Sequence, residues 1–264
     1  LGPHRAYWEP FCGSLAVLLA KPRTAHENVN DLHGELTNLA QVLAQEKNAV
    51  RLYGMLSRAL MHESTYASSA AWLQEHELSD RPDVQRAYHY FIVAWQGRNG
   101  FEGTAKAKPT FTLRWTSSGG HNGQRFRAAV ESIPDWHDRL RSVVILRRDG
   151  FDVLEQIEDN PRVVVYCDPP YLNKSTAYRH DFAADDHARL AQALRRFRKT
   201  RVVVSYYDDL KLAELYAGWT KVDCSRTKGL SSQTGAGATA APEVLLINGV
   251  LADEAVTKEL FRGA

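Results

Sequence analysis

The sequence predicts an α/β fold in which helices cover both faces of a mostly parallel sheet. Short apolar runs typical of buried strands occur at about 6–8, 143–146 and 163–167, and helical segments separate them. Two strand–helix units at the amino end, within 6–20 and 26–43, have the order of a nucleotide-binding sheet.

The first two units each combine a strand, a polar loop and a helix. A strand over 6–8 leads through the loop 9–14 into a helix over 15–20. A second strand over 26–29 ends at Asn30 and Asp31. The helix that follows is predicted by apolar residues at helical spacing, which are Leu32, Leu36, Leu39 and Leu43.

The middle of the chain differs from both ends. Residues 45–95 show mixed helical periodicity, and 97–124 are rich in glycine. Within the glycine-rich part, the alternation at 111–116 predicts one arm of a hairpin. We therefore predict a mostly helical insert with a hairpin at 45–125.

The α/β alternation returns after the insert, so 1–44 and 126–264 together form the predicted sheet domain. A helix over about 185–199 has acids at its start and Arg195, Arg196, Arg198 and Lys199 at its end, as the helix dipole favours. The remaining predicted elements are a helix over 124–131, strands over 143–146, 163–167, 202–204 and 244–247, and a short helix over 151–158.

The composition is that of an ordinary globular protein. Of 264 residues, 44% are hydrophobic and 24% are charged. No uninterrupted apolar stretch is long enough to span a membrane. The three cysteines are far apart and odd in number, which favours neither a disulfide framework nor a metal site. We therefore expect a cytoplasmic protein.

Positive charge is concentrated in one segment. Residues 98–127 carry six Lys and Arg residues against one acid, a net charge of +5 in a chain whose total is +2. A basic block on an otherwise near-neutral protein is typical of a surface that contacts a phosphate backbone.

The strand over 163–167 ends at Asp168-Pro169-Pro170-Tyr171. Asp and Pro are common turn residues, and proline cannot continue a central strand, so an ordinary turn is one interpretation. The other is a catalytic loop, because open α/β sheets bind ligands at the carboxyl ends of their strands. A specific four-residue string arises by chance in roughly one of several hundred chains of this length.

Three motifs together resemble the Dam-like (DPPY-motif) adenine-N6-specific DNA methyltransferases. They are Glu9-Pro10-Phe11-x-Gly13, Asn30-Asp31 and Asp168-Pro169-Pro170-Tyr171. Their order also fits that family: cofactor loop, target-recognition insert, catalytic loop. The resemblance continues in Arg98-Asn99-Gly100-Phe101 and in Tyr178-x-x-x-Phe182-x-x-x-Asp186-His187.

The resemblance implies a Rossmann-like methyltransferase sheet that binds S-adenosylmethionine. The loop from Glu9 to Ser14 would lie near the methionine part of the cofactor. Asp31 would accept hydrogen bonds from the ribose hydroxyls, and Asp149 and Phe151 would frame the adenine. The cofactor-binding residues implied are Glu9, Pro10, Phe11, Gly13, Ser14, Asn30, Asp31, Leu32, Asp149, Phe151 and Asp168.

The resemblance also implies the reaction, which is methyl transfer to N6 of a flipped-out adenine in double-stranded DNA. Asp168 and the Pro169 carbonyl would accept the two N6 hydrogens. The fixed φ angles of Pro169 and Pro170 would hold that carbonyl in place. Tyr171 would stack on the flipped base.

The basic glycine-rich segment is the implied DNA-reading part. Its side chains are of types that read base edges or hold phosphates. We expect a monomer or weak dimer in a bacterial or phage-infected cell, with or without a restriction partner. The predicted DNA-binding residues are Arg98, Asn99, Lys106, Lys108, Arg114, His121, Asn122, Gln124 and Arg125.

Two departures from the family leave alternatives open. Leu15 stands where many members have a second glycine, and no Gly-Gly-Lys segment precedes the first strand. These departures favour one alternative of another class, a nucleic-acid-binding module that has lost its cofactor. Within the enzyme class, the alternatives are methylation of cytosine N4 or of RNA adenine. The Asp at the start of the motif favours adenine, and the basic insert favours duplex DNA.

Overall fold

The chain forms two compact units, which are described separately. The first unit consists of 1–10, 151–174 and 182–264, and the second of 11–150 with 175–181. The computed structural model describes residues 1–97, 110–111, 122–172, 182–224, 226–227 and 240–249.

The described residues contain a seven-stranded, mixed sheet in the order β3-β2-β1-β4-β5-β9-β6. The pairs β2–β3 and β4–β5 are parallel, whereas β9 runs antiparallel to both β5 and β6. The predicted α/β class is therefore confirmed. The strands are β1 (Ala6–Phe11), β2 (His26–Asn30), β3 (Val144–Leu146), β4 (Val163–Cys167), β5 (Arg201–Tyr207), β6 (Thr220–Asp223), β7 (Arg226–Thr227), β8 (Ala240–Ala241) and β9 (Glu243–Ile247), with β7 and β8 forming a separate ribbon.

The two central strands of the first unit are buried because they are apolar on both faces. Residues 164–167 of β4 and 202–206 of β5 are all buried. The strands pair in parallel with Val165 opposite Val202. Near-continuous runs of valine are expected where helices cover both faces of a sheet.

The helices have the periodicity that the sequence predicts. In the second unit, α3 to α5 occupy most of 46–96, which confirms the helical character of that segment. The helices are α1 (Ala16–Ala20), α2 (Gly34–Ala44), α3 (Glu46–Leu56), α4 (Glu63–Glu75), α5 (Val84–Gln96), α6 (Asn122–Glu131), α7 (Ile133–Leu140), α8 (Gly150–Gln156), α9 (Ala184–Leu194) and α10 (Leu210–Leu215).

A buried ion pair joins two helices of the second unit. The Arg86 guanidinium on α5 donates to both carboxylate oxygens of Glu35 on α2, with Nε–O distances of 3.0 Å. Arg86 also donates to the His76 carbonyl at 2.6 Å. Because both charges are buried, these bonds compensate the loss of hydration.

The helix predicted over 185–199 is shorter, and the dipole argument for its basic end was wrong. The helix ends at Leu194, so the four cations lie beyond it. The segment after the helix is fixed by the Asp159 carboxylate, which accepts hydrogen bonds from the backbone N–H groups of Arg198, Lys199 and Thr200. Arg196 donates to the carbonyls of Leu154 and Ile157 and so has a structural contact.

Two other differences concern strands. The sequence analysis missed β6, whose segment Thr-Lys-Val-Asp has one apolar residue and is held by its pairing with β9. The hairpin predicted at 111–116 falls outside the described residues except for Phe111, which bridges Gly97. No helix in the described part of the chain is long and apolar enough to cross a membrane.

Candidate active site

The first unit contains the point at which the strand order of the sheet reverses, between β1 and β4. Ligands of open α/β sheets bind outside the carboxyl ends of the strands at such a point. Glu9 lies on β1, and Asp168 follows β4 directly. Burial raises the pKa of the Cys167 thiol, and the charges of Glu9 and Asp168 raise it further.

Glu9 is on a strand and not in a loop. The structure extends β1 through Glu9 and Pro10 to Phe11, beyond the predicted end at Trp8. The Glu9 side chain is buried and accepts a hydrogen bond of 2.8 Å from the Tyr7 hydroxyl. Burial and Glu9 together raise the Tyr7 pKa, so Tyr7 remains a donor and orients the carboxylate.

The four residues after β4 differ in exposure. Asp168 is exposed, Pro169 is buried, and Pro170 and Tyr171 are half-buried. The carboxylate of Asp168 is therefore accessible to a ligand, while the prolines anchor the backbone next to it.

Tyr171 is held on several sides within the first unit. Its hydroxyl lies 3.2 Å from the Ser205 Oγ, and its ring meets the Tyr207 ring edge-on at 4.5 Å. Burial is the main cause that raises the Tyr171 pKa, and the charge and hydrogen bond of Asp168 raise it further. Asp168 and Tyr171 are thus close together.

A line of aromatic contacts runs from Phe151 toward Tyr171. The Phe151 and Phe182 rings stack at 5.7 Å, and Phe182 lies 5.4 Å from the His187 ring. The buried His187 Nδ1 lies 3.0 Å from the Tyr206 hydroxyl, and the Tyr206 and Tyr171 rings are 5.9 Å apart.

Four residues near these contacts were not among the predicted site residues: Ser205, Tyr206, Tyr207 and Arg189. Arg189 places its guanidinium 3.8 Å over the Phe151 ring. The signal for the first three was their place at the carboxyl end of the apolar run Val202–Val204, where the next strand of a parallel sheet ends.

In the second unit, Gly13 of the predicted cofactor loop lies beside Asp31. The Gly13 N–H donates to the Asp31 Oδ2 at 2.7 Å, and the Cys12 N–H donates to the Asn30 carbonyl at 2.9 Å. The Asp31 Oδ1 accepts from the His33 N–H at 2.8 Å. Each carboxylate oxygen has a further lone pair, so Asp31 retains acceptor capacity for a ligand.

Gly13 is required by its backbone angle, not by crowding. Its φ is +46°, and a Cβ built there would meet nothing within 4 Å. Open space beside the loop is what a ligand that approaches the backbone needs. Ser14 next to it is exposed.

Asn30 joins two strand ends. Its side-chain amide accepts from the Arg148 N–H at 2.9 Å and donates to the Arg148 carbonyl at 3.0 Å. Asp149, the next residue, is exposed. A Cβ on Gly150 would lie 2.3 Å from the Phe11 ring, so glycine is needed there for Phe11 to pack. Leu32 is 44% exposed.

Leu15 has a left-handed backbone, with φ +63° and ψ +19°. This conformation accounts for the glycine that many members of the resembled family have at this position, because glycine adopts it without strain whereas leucine is strained by about 1–2 kcal/mol. The Leu15 side chain is buried, and its packing offsets that strain.

We expect Leu15→Gly to be more stable than Leu15→Ala by about 1 kcal/mol. Both variants remove the buried side chain, and only glycine removes the strain. Leu15 is the N-cap of α1, a position at which glycine is also preferred to alanine. Urea denaturation of the two variants measures the difference. Greater stability of the alanine variant would show that the left-handed backbone is not strained.

A cavity of about 430 Å³ in the second unit is lined by residues of both the predicted cofactor loop and the predicted DNA-binding set. Gly13 and Ser14 line it together with Asn122 and Arg125 from the first turn of α6. Gln124 is exposed on the same helix. The other predicted DNA-binding residues lie outside the described residues and are Arg98, Asn99, Lys106, Lys108, Arg114 and His121.

Within the described ranges, no group of three His, Cys, Asp or Glu side chains is arranged to hold a metal ion.

Comparison with known proteins gives a consistent identification. The family model for D12 class N6 adenine-specific DNA methyltransferases matches residues 3–227. The chain is also similar to the Retron Ec67 DNA adenine methylase of Escherichia coli, with 24% identity over 250 residues that cover 91% of this chain and 82% of that protein. The family uses S-adenosylmethionine and acts on DNA. The chain belongs to the D12 class of N6 adenine-specific DNA methyltransferases.

Proposed function

We propose that this chain methylates N6 of an adenine that is flipped out of double-stranded DNA, and that Asp168 and the Pro169 carbonyl position the reacting nitrogen. The main observation in support is the arrangement after β4. There, an exposed carboxylate follows a buried strand and has an aromatic ring beside it.

The residues around Gly13 fit S-adenosylmethionine. When bound, this cofactor supplies an electrophilic methyl group. The open space beside Gly13, the free lone pairs of Asp31 and the exposed Asp149 suit a nucleoside with a zwitterionic tail. The residues proposed to hold it are Glu9, Pro10, Phe11, Gly13, Ser14, Asn30, Asp31, Leu32, Asp149, Phe151 and Asp168.

Asp168 and Pro169 would act by orientation. The N6 nitrogen of adenine is a poor nucleophile because its lone pair is delocalised into the ring. If a carboxylate and a carbonyl accept its two hydrogens, the nitrogen is drawn toward tetrahedral geometry, and its lone pair points at the methyl group. Asp168 need not be a strong base, since the nitrogen loses its proton easily after methylation. Such catalysis rests on positioning and electrostatics.

Tyr171 would hold the flipped base by stacking. Flipping unpairs and unstacks the adenine at a cost of a few kcal/mol, which aromatic contact in the pocket offsets. The edge-on contact with Tyr207 orients the Tyr171 ring for that role.

Segment 98–127 would contact the DNA, in keeping with its net charge of +5. Asn122 and Arg125 also line the cavity beside the cofactor loop. We further propose that the protein works as a monomer or weak dimer in the cytoplasm of a bacterial or phage-infected cell, where DNA is accessible.

We expect Asp31→Ala to weaken binding of S-adenosylhomocysteine by about 10–100-fold, the range of a hydrogen bond to a charged group. The variant loses both the ribose acceptor and the bond to the Gly13 N–H. Isothermal titration measures the change. Asp135→Ala, an exposed site in the same unit, is the control. Equal affinities for the two variants would remove Asp31 from the cofactor site.

Methyl transfer from labelled S-adenosylmethionine to duplex DNA and to RNA tests the proposed function. Label in duplex DNA alone is the expected result. Label in RNA would favour the RNA methyltransferase alternative. A protein that binds DNA, does not bind S-adenosylhomocysteine and transfers no label would be a binding module.

A further inference from the structure

The hydroxyl of Tyr171 has two partners in the first unit. It lies 3.2 Å from the Ser205 Oγ, and it also hydrogen-bonds the Asp168 carboxylate, which helps to raise the Tyr171 pKa. A phenol with one proton donates to a single acceptor at a time in a strong bond. A carboxylate can only accept, so in the bond to Asp168 the Tyr171 hydroxyl is the donor. In the bond to Ser205, the Ser205 hydroxyl is then the donor and the Tyr171 oxygen the acceptor.

That bond to Asp168 has a consequence for the proposed reaction. The adenine amine needs a carboxylate oxygen of Asp168 as acceptor. The carboxylate keeps further lone pairs, but a phenol that donates to it lowers its negative charge density and so weakens it as an acceptor for the amine. This weakening ends if the Tyr171 hydroxyl turns to another acceptor.

We propose that Ser205 is a positioning residue, which accepts the hydrogen bond of the Tyr171 hydroxyl when the target amine occupies Asp168. The inference rests on the proposed function. In the resting arrangement Tyr171 donates to Asp168, and in the substrate-bound arrangement it donates to Ser205. Only hydroxyl protons rotate, and no bond to carbon or sulfur changes.

Ser205 is placed for this role by its surroundings. It is buried on β5, a central strand paired on both sides, with Leu245 opposite it on β9. It also hydrogen-bonds the hydroxyl of Tyr166 on β4. Burial and the charge of Asp168 raise the pKa of Tyr166, and the hydrogen bond with Ser205 lowers it in part. The Ser205 hydroxyl therefore lies between two tyrosines and can accept from one while donating to the other.

Ring contacts allow the hydroxyl to turn while Tyr171 stays in place. The Tyr207 ring meets Tyr171 edge-on at 4.5 Å, and the Tyr206 ring lies 5.9 Å away. His187 in turn fixes the Tyr206 hydroxyl at 3.0 Å. Loss of the Ser205 hydroxyl should therefore change which group Tyr171 donates to without moving its ring.

The test is a double-mutant cycle with Ser205→Ala and Tyr171→Phe. Ser205→Ala leaves Asp168 as the acceptor for Tyr171 and should lower the single-turnover rate of methyl transfer about tenfold, the worth of one hydrogen bond. Tyr171→Phe in the Ser205→Ala background removes the competing donor and should restore part of that loss. A role in packing alone gives additive losses instead.

Three controls accompany the cycle. Affinity for S-adenosylhomocysteine should be unchanged in every variant, and fluorescence of 2-aminopurine at the target position should show equal flipping. Ser205→Thr keeps the hydroxyl and should retain activity, whereas Ser205→Val, which is close to threonine in volume but lacks a hydroxyl, should lose it. The Thr and Val variants take the place of Ser205→Ala if the alanine variant does not fold.

The outcomes are distinguishable. Recovery of rate in the double variant supports the proposal, whereas additive losses or an unaffected Ser205→Ala enzyme overturn it. If the unmodified protein transfers no methyl group to DNA, the proposed function itself fails.

Discussion

Asp168→Ala is expected to lower methyl transfer to DNA by about 10²–10³-fold or more, the cost of removing one preorganised electrostatic group from an active site. Asp168 is exposed at the end of β4, and its partner Tyr171 keeps a second contact with Ser205, so removal of the carboxylate should change stability by less than about 1 kcal/mol. A large loss of rate in a fully folded protein would assign Asp168 to the reaction.

The size of this effect follows from the proposed role of the carboxylate. Without Asp168, one N6 hydrogen loses its acceptor, and the lone pair stays delocalised in the adenine ring. Asp168→Asn keeps an acceptor oxygen but loses the charge, so its rate should lie between the rates of the unmodified protein and of Asp168→Ala. This order separates hydrogen bonding from charge.

The measurement is the single-turnover rate with saturating DNA and cofactor. Asp185→Ala, an exposed acid on α9, is the matched control and should retain the full rate. Undiminished transfer by Asp168→Ala would mean that the motif forms a turn and that the reacting group lies elsewhere.

The second large effect is on stability, because Glu27→Ala should destabilise the protein by about 3–5 kcal/mol. The Glu27 side chain on β2 is 2% exposed and contacts two buried cations, Arg139 and Lys21. Arg139 donates to both of its oxygens, one at 2.8 Å, and also donates to the Leu18 carbonyl at 2.9 Å. Removing the acid takes away the carboxylate that both buried cations share.

The same cluster predicts acid sensitivity. Burial alone would raise the pKa of Glu27, but the hydrogen bonds and charges of Arg139 and Lys21 hold it at about 2, below its ordinary 4.5. A lowered pKa stabilises the fold fully above about pH 4.5, and this contribution is lost as the pH falls toward 2. The stability difference between the unmodified protein and Glu27→Ala should therefore shrink over that range.

Urea denaturation between pH 7 and pH 3 measures both effects. The control Arg23→Ala breaks a surface ion pair between Arg23 and Asp138, whose side chains are 49% and 59% exposed. It should lower the free energy of unfolding by less than about 1 kcal/mol. If Glu27→Ala costs no more than this control, the buried cluster does not stabilise the fold.

The sequence predicted those parts of the site that are contiguous in the chain. The strand over 163–167 and the motif after it were recognisable because buried strands and rare strings leave local patterns. Asp31 was recognisable from its place after a strand, although its bond to Gly13 was not.

What the sequence did not reveal depends on residues far apart in the chain. The contact of Ser205 with Tyr171 spans 34 residues, and that of Asn30 with Arg148 spans 118. The end of α9 was misplaced because Asp159, about 40 residues earlier, caps the segment that follows it. Local periodicity carries no information on such pairs.

Identification of the methylated nucleoside shows directly whether the protein methylates N6 of adenine. The purified protein is incubated with labelled S-adenosylmethionine and mixed genomic DNA, which is then digested to nucleosides and separated. We expect N6-methyladenine as the labelled product. Label in N4-methylcytosine would contradict the assignment of adenine as the target of Asp168.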